Sequence, residues 1–218
     1  MINNYSIYSG NQFITLLVKQ AEWIIKVTYY MVTYYIIEQV LAGKSNAFNY
    51  IVDRHKNKAY NLAFRICGNH EDAEEVAQDS FLKAYRSLKG FKMKSSFATW
   101  LYRIVYNTAI SHVRIKKKGV LSLEDFPVDA TDFIGSNTSE EEAEKEYRSS
   151  LINFALQKIN EEERGLISLY YYEEMSTDEI SDLTGISKSN IKVKLFRARQ
   201  KMLEIIEKVE KKKLIYHG

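Results

Sequence analysis

Residues 176–202 read STDEISDLTGISKSNIKVKLFRARQKM, two stretches of helical period divided by a single glycine. Ser176 and Glu179 stand at capping-box spacing, so the hydroxyl satisfies an orphan N–H of the first turn while the carboxylate reaches back to the cap. Gly185 supplies the left-handed residue that ends this helix. Ser187 is placed to cap the next one, in which Ile186, Ile191, Leu195 and Met202 fall near 3-4 spacing and pack inward. Lys188, Lys192, Lys194, Arg197, Arg199 and Lys201 are left on the outward face. Turn, caps and basic face together predict a helix-turn-helix. A helix docked in the major groove reads base edges with its N-terminal residues and holds phosphates with lysine and arginine. Ser187, Lys188, Ser189, Asn190, Lys192, Lys194 and Arg197 are therefore candidate DNA-contacting residues.

The rest of the chain is just as helical. There is one proline in 218 residues, Pro127, and helix formers run nearly throughout. The length admits one sizeable core or two small ones. A net charge of +3 is too mild to argue for nucleic acid by itself; segregation of charge carries the argument. The lone Cys67 excludes an internal disulfide framework and a cysteine-rich zinc site, and it reads as a small buried hydrophobe within the pattern of Ala59 to Ile66. Residues 13–37 are apolar and aromatic, but Lys19, Gln20, Glu22 and Lys26 interrupt them and no small-residue cleavage site follows a short apolar core. No membrane-spanning helix is expected there; a surface-lying or partner-binding amphipathic helix is compatible with the pattern.

From about residue 34 the periodicity is regular. Ile36, Ile37, Val40 and Leu41 end at Gly43, and a second run from Ala47, Phe48, Ile51 and Val52 continues to Ile66 before the breaker pair Gly68-Asn69. The next helix, about 71–88, sets Ala73, Ala77, Phe81, Ala84 and Leu88 on one stripe, with Asp72, Glu75, Gln78 and Asp79 on the opposite face. A loop over 90–96 leads to a helix of about 97–118. There Trp100, Leu101, Ile104, Val105 and Ile110 face a core, while Arg103, Asn107, Arg114, Lys116, Lys117 and Lys118 face solvent or phosphate. Beyond Gly119, Glu124, Asp125, Pro127, Asp129, Asp132 and Gly135 lie in a stretch without periodicity that reads as an acidic linker. Glu140, Glu141 and Glu142 then complement a helix N-terminus. Leu151, Ala155, Leu156 and Ile159, followed by Leu166, Ile167 and Tyr170, support the helix-turn-helix. The expected fold is all-α: two small helical domains joined by an acidic linker, the C-terminal one a helix-turn-helix.

Three strings in this order, AFNYIVDRHKNKAYNLAFRICGNHEDAEEVAQDSFLKAYRSLKGF, SFATWLYRIVYNTAISHVR and MSTDEISDLTGISKSNIKVKLFRARQKML, resemble the extracytoplasmic-function sigma factors of bacterial RNA polymerase. The resemblance covers about residues 34–208. It implies a region 2 domain at 34–118, a linker at 119–145 and a region 4 domain at 146–212, without catalytic activity or cofactor. The family's Asp-Ala-Glu-x-x-x-Gln helix, which docks on core polymerase, matches Asp72, Ala73, Glu74 and Gln78, with Glu75 and Asp79 beside them. The loop of Lys89, Phe91, Lys92, Met93, Lys94, Ser95 and Ser96 matches the pocket for a base flipped from the -10 element. Arg103, Asn107, Arg114, Lys116 and Lys117 would lie along that strand. Residues 187–197 would read the -35 element, and the acidic linker would thread toward the polymerase active centre. Implied partners are core RNA polymerase, promoter DNA and an anti-sigma factor, in the cytoplasm, with no small-molecule substrate.

Departures limit the transfer. Met93 and Lys94 stand where the family often has glycine and an acid, and Ser111 where it often has aspartate, so the base preference at -10 does not carry over. Residues 1–33 fall outside the resemblance, and Met31 sits where family members commonly begin; the expectation is a translation start at Met31. Two other classes account for less of the chain. A stand-alone helix-turn-helix regulator leaves the Asp72 face without a task. A helical metalloenzyme using Asp72, Glu75 and Asp79 lacks a second acidic helix or a Glu-x-x-His partner, and His55, His70, His112 and His217 are scattered along the chain.

Overall fold

A computed structural model of the chain describes residues 5–119 and 140–217. All of its regular structure there is helical: α1 (Tyr5–Leu41), α2 (Phe48–Cys67), α3 (His70–Ser87), α4 (Phe97–Gly119), α5 (Glu140–Lys158), α6 (Glu161–Ile167), α7 (Thr177–Thr184) and α8 (Lys188–His217). The expected all-α class holds. The acidic linker positions Glu124, Asp125, Pro127, Asp129, Asp132 and Gly135 lie outside the described residues, and α5 begins at Glu140, where Glu140, Glu141 and Glu142 are expected to complement a helix N-terminus.

The chain forms two compact units. One comprises residues up to His55 together with Tyr85–Phe97. Its core is built from Ile37, Val40, Phe48, Ile51, Leu88 and Phe97, all buried, with edge-on ring contacts of 5.1 Å between Phe48 and Tyr85 and 5.5 Å between Phe91 and Phe97. Here α1 takes in the apolar segment 13–37, whose pattern is compatible with an amphipathic helix. It runs unbroken through Met31 as one helix of 37 residues, because nothing in 5–41 interrupts the backbone hydrogen bonding until Gly43 adopts φ +95. Along most of its length it leaves apolar side chains exposed, among them Leu17, Trp23 and Ile25. No helix among the described residues is long and apolar enough to cross a membrane.

The second unit comprises Lys56–Ala84 and everything from Ala98 onward. Leu62, Ile66, Val76, Leu101 and Val105 bury the 3-4 stripes of α2, α3 and α4, and Leu156, Leu166, Leu169, Ile180, Ile191 and Leu195 do the same for the C-terminal helices. The stripe expected on α3, from Ala73 to Leu88, is buried throughout, although the helix ends at Ser87 and tightens into a 3-10 turn, Leu88–Gly90. After α6 the chain makes a π turn over Ser168–Tyr172, closed by the Glu173 N–H donating to the Ser168 carbonyl at 3.1 Å. The Ser168 hydroxyl donates to the Arg164 carbonyl at 2.8 Å, a back-bond that bends helices. The wider turn shifts the phase, so Leu169 goes inside and Tyr170, expected among the supporting core, stays exposed.

Candidate nucleic-acid interface

The helix-turn-helix is built from α7 and α8. The capping box at Ser176 is complete: the Glu179 N–H donates to the Ser176 hydroxyl at 3.2 Å, and the Ser176 N–H donates to the Glu179 carboxylate at 2.9 Å. Gly185 closes α7 at φ +77, its N–H donating to the Ser181 carbonyl. Ile191, Leu195 and Ala198 anchor α8 in the core, while Ile186 and Met202 are only half-buried. Ser187, Lys188, Ser189, Asn190, Lys192 and Arg197 are all exposed, and the Ser187 hydroxyl lies 3.4 Å from that of Ser189. Two expected DNA contacts are engaged within the protein. Lys188 pairs with Asp178, and Lys194, half-buried, pairs with Glu162 at 3.2 Å. The exposed Lys188–Asp178 pair contributes little to stability.

The acidic face on α3 is narrower than its sequence suggests. Glu74, Glu75 and Gln78 are exposed and Asp79 is half-buried beside Lys83 at 2.7 Å. Asp72, expected among them, is 6% exposed. Its N–H donates to the Asn69 side-chain oxygen at 2.9 Å, and its carboxylate accepts from the Asn69 amide at 2.7 Å and from Lys116 at 2.9 and 3.0 Å. His112 lies 3.0 Å from the same carboxylate. Burial opposes the charge, but the hydrogen bonds from Asn69, Lys116 and His112 outweigh it and hold the Asp72 carboxyl down to about 2. Asp72 thus ties α3 to α4. Lys116, read from sequence as a phosphate contact, spends its ammonium on this tie.

Ligand atoms of Asp72, Glu75 and His112 lie within 4.8 Å of one another, whereas Asp79, the third ligand expected of a metalloenzyme, pairs with Lys83. The Lys116 ammonium already supplies the positive charge between the oxygens of Asp72, so the cluster does not fit a cation. Cys67 is half-buried, and burial pushes its thiol up to about 12, the behaviour of an inert side chain. On α4, Arg103, Asn107 and Arg114 are exposed as expected, and Lys117 is described in its backbone alone.

In the first unit, Lys89, Lys92 and Ser95 are exposed, and Phe91 and Ser96 are half-buried. Met93 sits at φ +55, in the region glycine favours. Behind this loop is a cavity of about 700 Å3, walled on one side by Phe91 and residues 93–97 and on the other by α1 residues Tyr29, Tyr30, Met31, Thr33, Tyr34, Tyr35, Ile37 and Glu38. Phe97 is buried and edges this cavity. Sequence reasoning missed the α1 wall entirely. The run of tyrosines from Tyr29 to Tyr35 was the available signal, passed over because that segment begins ahead of the resemblance.

Against this geometry stand the comparisons with known proteins. Residues 51–119 match Sigma-70 region 2, and residues 150–202 match Sigma-70, region 4. The chain is 32% identical over 176 residues to the ECF RNA polymerase sigma factor SigW of Bacillus subtilis, across 75% of this chain and 91% of that protein. This chain belongs to the ECF sigma factors of RNA polymerase. It is also 29% identical over 172 residues to the RNA polymerase sigma-H factor of Pseudomonas aeruginosa, covering 76% of this sigma factor and 89% of that one. Among solved structures, CnrH in complex with the cytosolic domain of CnrY shares the fold at a TM-score of 0.56 and 22% identity, over 79% of this chain and 96% of that one. As an ECF sigma factor the protein acts in transcription initiation with RNA polymerase.

Proposed function

We propose that this sigma factor directs core RNA polymerase to promoters through three separate surfaces and has no catalytic chemistry of its own. Residues 34–118 act as the region 2 domain, 119–145 as the linker and 146–212 as the region 4 domain. Glu74, Glu75, Gln78 and Asp79 on α3 dock on core polymerase; Asp72 holds that helix in place from behind. Lys89, Phe91, Lys92, Ser95 and Ser96, with Arg103, Asn107, Arg114 and Lys117 on α4, engage the -10 element. Ser187, Lys188, Ser189, Asn190, Lys192, Lys194 and Arg197 engage the -35 element. The site of action is the cytoplasm, and an anti-sigma factor binds the protein, a reading supported by the fold it shares with the Bartonella quintana sigma factor RpoE, solved in complex with the anti-sigma factor NepR.

The observation that carries this reading is the complete capping box and left-handed Gly185, which hold α8 with its basic N-terminal half exposed. Size-exclusion of the chain mixed with core RNA polymerase tests the docking surface. Wild type should form a one-to-one complex, and a Glu74, Glu75, Gln78 triple-alanine variant should not. With the holoenzyme on promoter DNA, Lys192→Ala or Arg197→Ala should cost about 1–3 kcal/mol at one base position if the side chain reads a base, and weaken all sequences alike if it meets phosphate. Tight duplex binding without polymerase, and no complex with it, would instead make the protein a stand-alone regulator.

A further inference from the structure

The wall that α1 contributes to the cavity precedes both regions matched to the family, at 51–119 and 150–202. Its residues fall on two adjoining helical stripes. Tyr29, Thr33 and Ile37 form the inner one: Thr33 and Ile37 are buried, and Tyr29 is tied down by a 3.2 Å hydrogen bond to buried His55 and by the Arg54 guanidinium 4.3 Å over its ring. Tyr30, Tyr34 and Glu38, at i, i+4 and i+8, form the outer one and share a face. Tyr30 is 52% and Tyr34 48% exposed, so two large rings lie open to solvent on a helix whose position is held from behind. Opposite them, the loop presents Phe91, Met93, Lys94, Ser95 and Ser96.

We propose that this outer stripe is a second stacking wall for single-stranded DNA, on which Tyr30 and Tyr34 receive a base next to the one taken by the loop and Glu38 selects it. The inference rests on the loop at 89–96 being the -10 contact and on the chain carrying the residues ahead of Met31, as the full sequence does. A volume of about 700 Å3 lies within the range of roughly 300–1,000 Å3 of pockets that enclose ligands well larger than one nucleobase. Aromatic faces accept any base by stacking. Lys92 and Lys94 supply positive charge for the backbone, which an apolar helix of a protein partner would leave unmatched. Glu38 repels phosphate but accepts from an exocyclic amino group, the pairing by which carboxylates recognise cytosine. The stripe therefore favours cytosine over thymine. Met93, held at φ +55, is backbone strain of the kind that persists where a site needs a particular side-chain direction.

The test uses the full chain assembled with core polymerase, against core alone, and short fluorescein-labelled single strands of dC or dT read by anisotropy. Tyr30 and Tyr34 are exposed, so a Tyr30→Ala, Tyr34→Ala double variant should still fold and bind core, which size-exclusion checks. We expect it to weaken dC binding at least about fivefold, the lower end of the loss of one stacked base, and the matching Tyr→Phe variant to keep it. Glu38→Gln should reduce the preference for dC over dT. Unchanged binding in the tyrosine variant, with loss in a Lys92→Ala, Lys94→Ala variant, would overturn the α1 wall while leaving the loop as the -10 contact. No loss in either would overturn both. Unchanged DNA binding in the tyrosine variant with lost capture by an anti-sigma factor would assign the stripe to that protein and likewise overturn the proposal.

Discussion

At Asp72 two effects of opposite sign compete, and the hydrogen bonds win. Burial alone would raise its pKa, yet donors from Asn69, Lys116 and His112 bring it from 3.8 to about 2. A carboxyl depressed on folding contributes stability that is fully present above its unfolded value and disappears as pH falls through its folded value. That contribution should hold above pH 3.8 and be lost as pH falls toward about 2. Lys116 is raised, chiefly by its hydrogen bond to Asp72, so the tie does not fail from its side until pH passes the ordinary lysine range. Asp72→Asn keeps the shape and removes the charge. It should cost about 1.5–3 kcal/mol in urea unfolding at pH 7, the usual worth of a hydrogen-bonded charge, and the difference from wild type should shrink near pH 2. A variant as stable as wild type at pH 7 would mean that Asp72 is not a tie. The motif placing Asp72 was legible in the sequence, but its inward direction was not, since that depends on Lys116 arriving from 44 residues away.

Among the elements, those bounded by local chemistry were read closely. The α7 start needed only Ser176 and Glu179 and its end only Gly185, because capping satisfies backbone groups within a single turn. Gly185→Ala should cost about 1–2 kcal/mol, since φ +77 crowds a Cβ against the carbonyl, and Ser176→Ala about 1 kcal/mol. Thermal unfolding of the full chain would register both, and loss of neither would mean the turn is held by packing alone. Elements shaped by contacts were read less well. The π turn at Ser168–Tyr172 shifts the phase by which Tyr170 seemed a core residue. The pattern is regular only from about residue 34, whereas α1 starts at Tyr5 and its Tyr29 finds a partner in His55, 26 residues away.

Within the second unit, long-range contacts join α2 and α4 to the C-terminal helices. Arg65 lies 3.7 Å over the Tyr172 ring, Lys58 is 3.7 Å from Glu173, and Gly165 faces Tyr106 so closely that an added Cβ would sit 2.5 Å from the ring. Gly165→Ala should therefore destabilise by about 1–3 kcal/mol through overpacking, measured by urea unfolding; a neutral result would show that Tyr106 can move aside. For the molecule as a whole, the sequence by itself determined the all-helical class, the helix-turn-helix, the order of the two sigma regions and the residues facing outward from α8. The order of the two regions comes from the resemblance of its motifs to the family; the others follow from spacing and capping, which act within about a turn or two of chain. Only the tertiary structure decided that Asp72 turns inward, that Lys188, Lys194 and Lys116 have protein partners, and that the tyrosines of α1 face the loop at 93–97. Those outcomes depend on which distant side chains meet, and no local period encodes that.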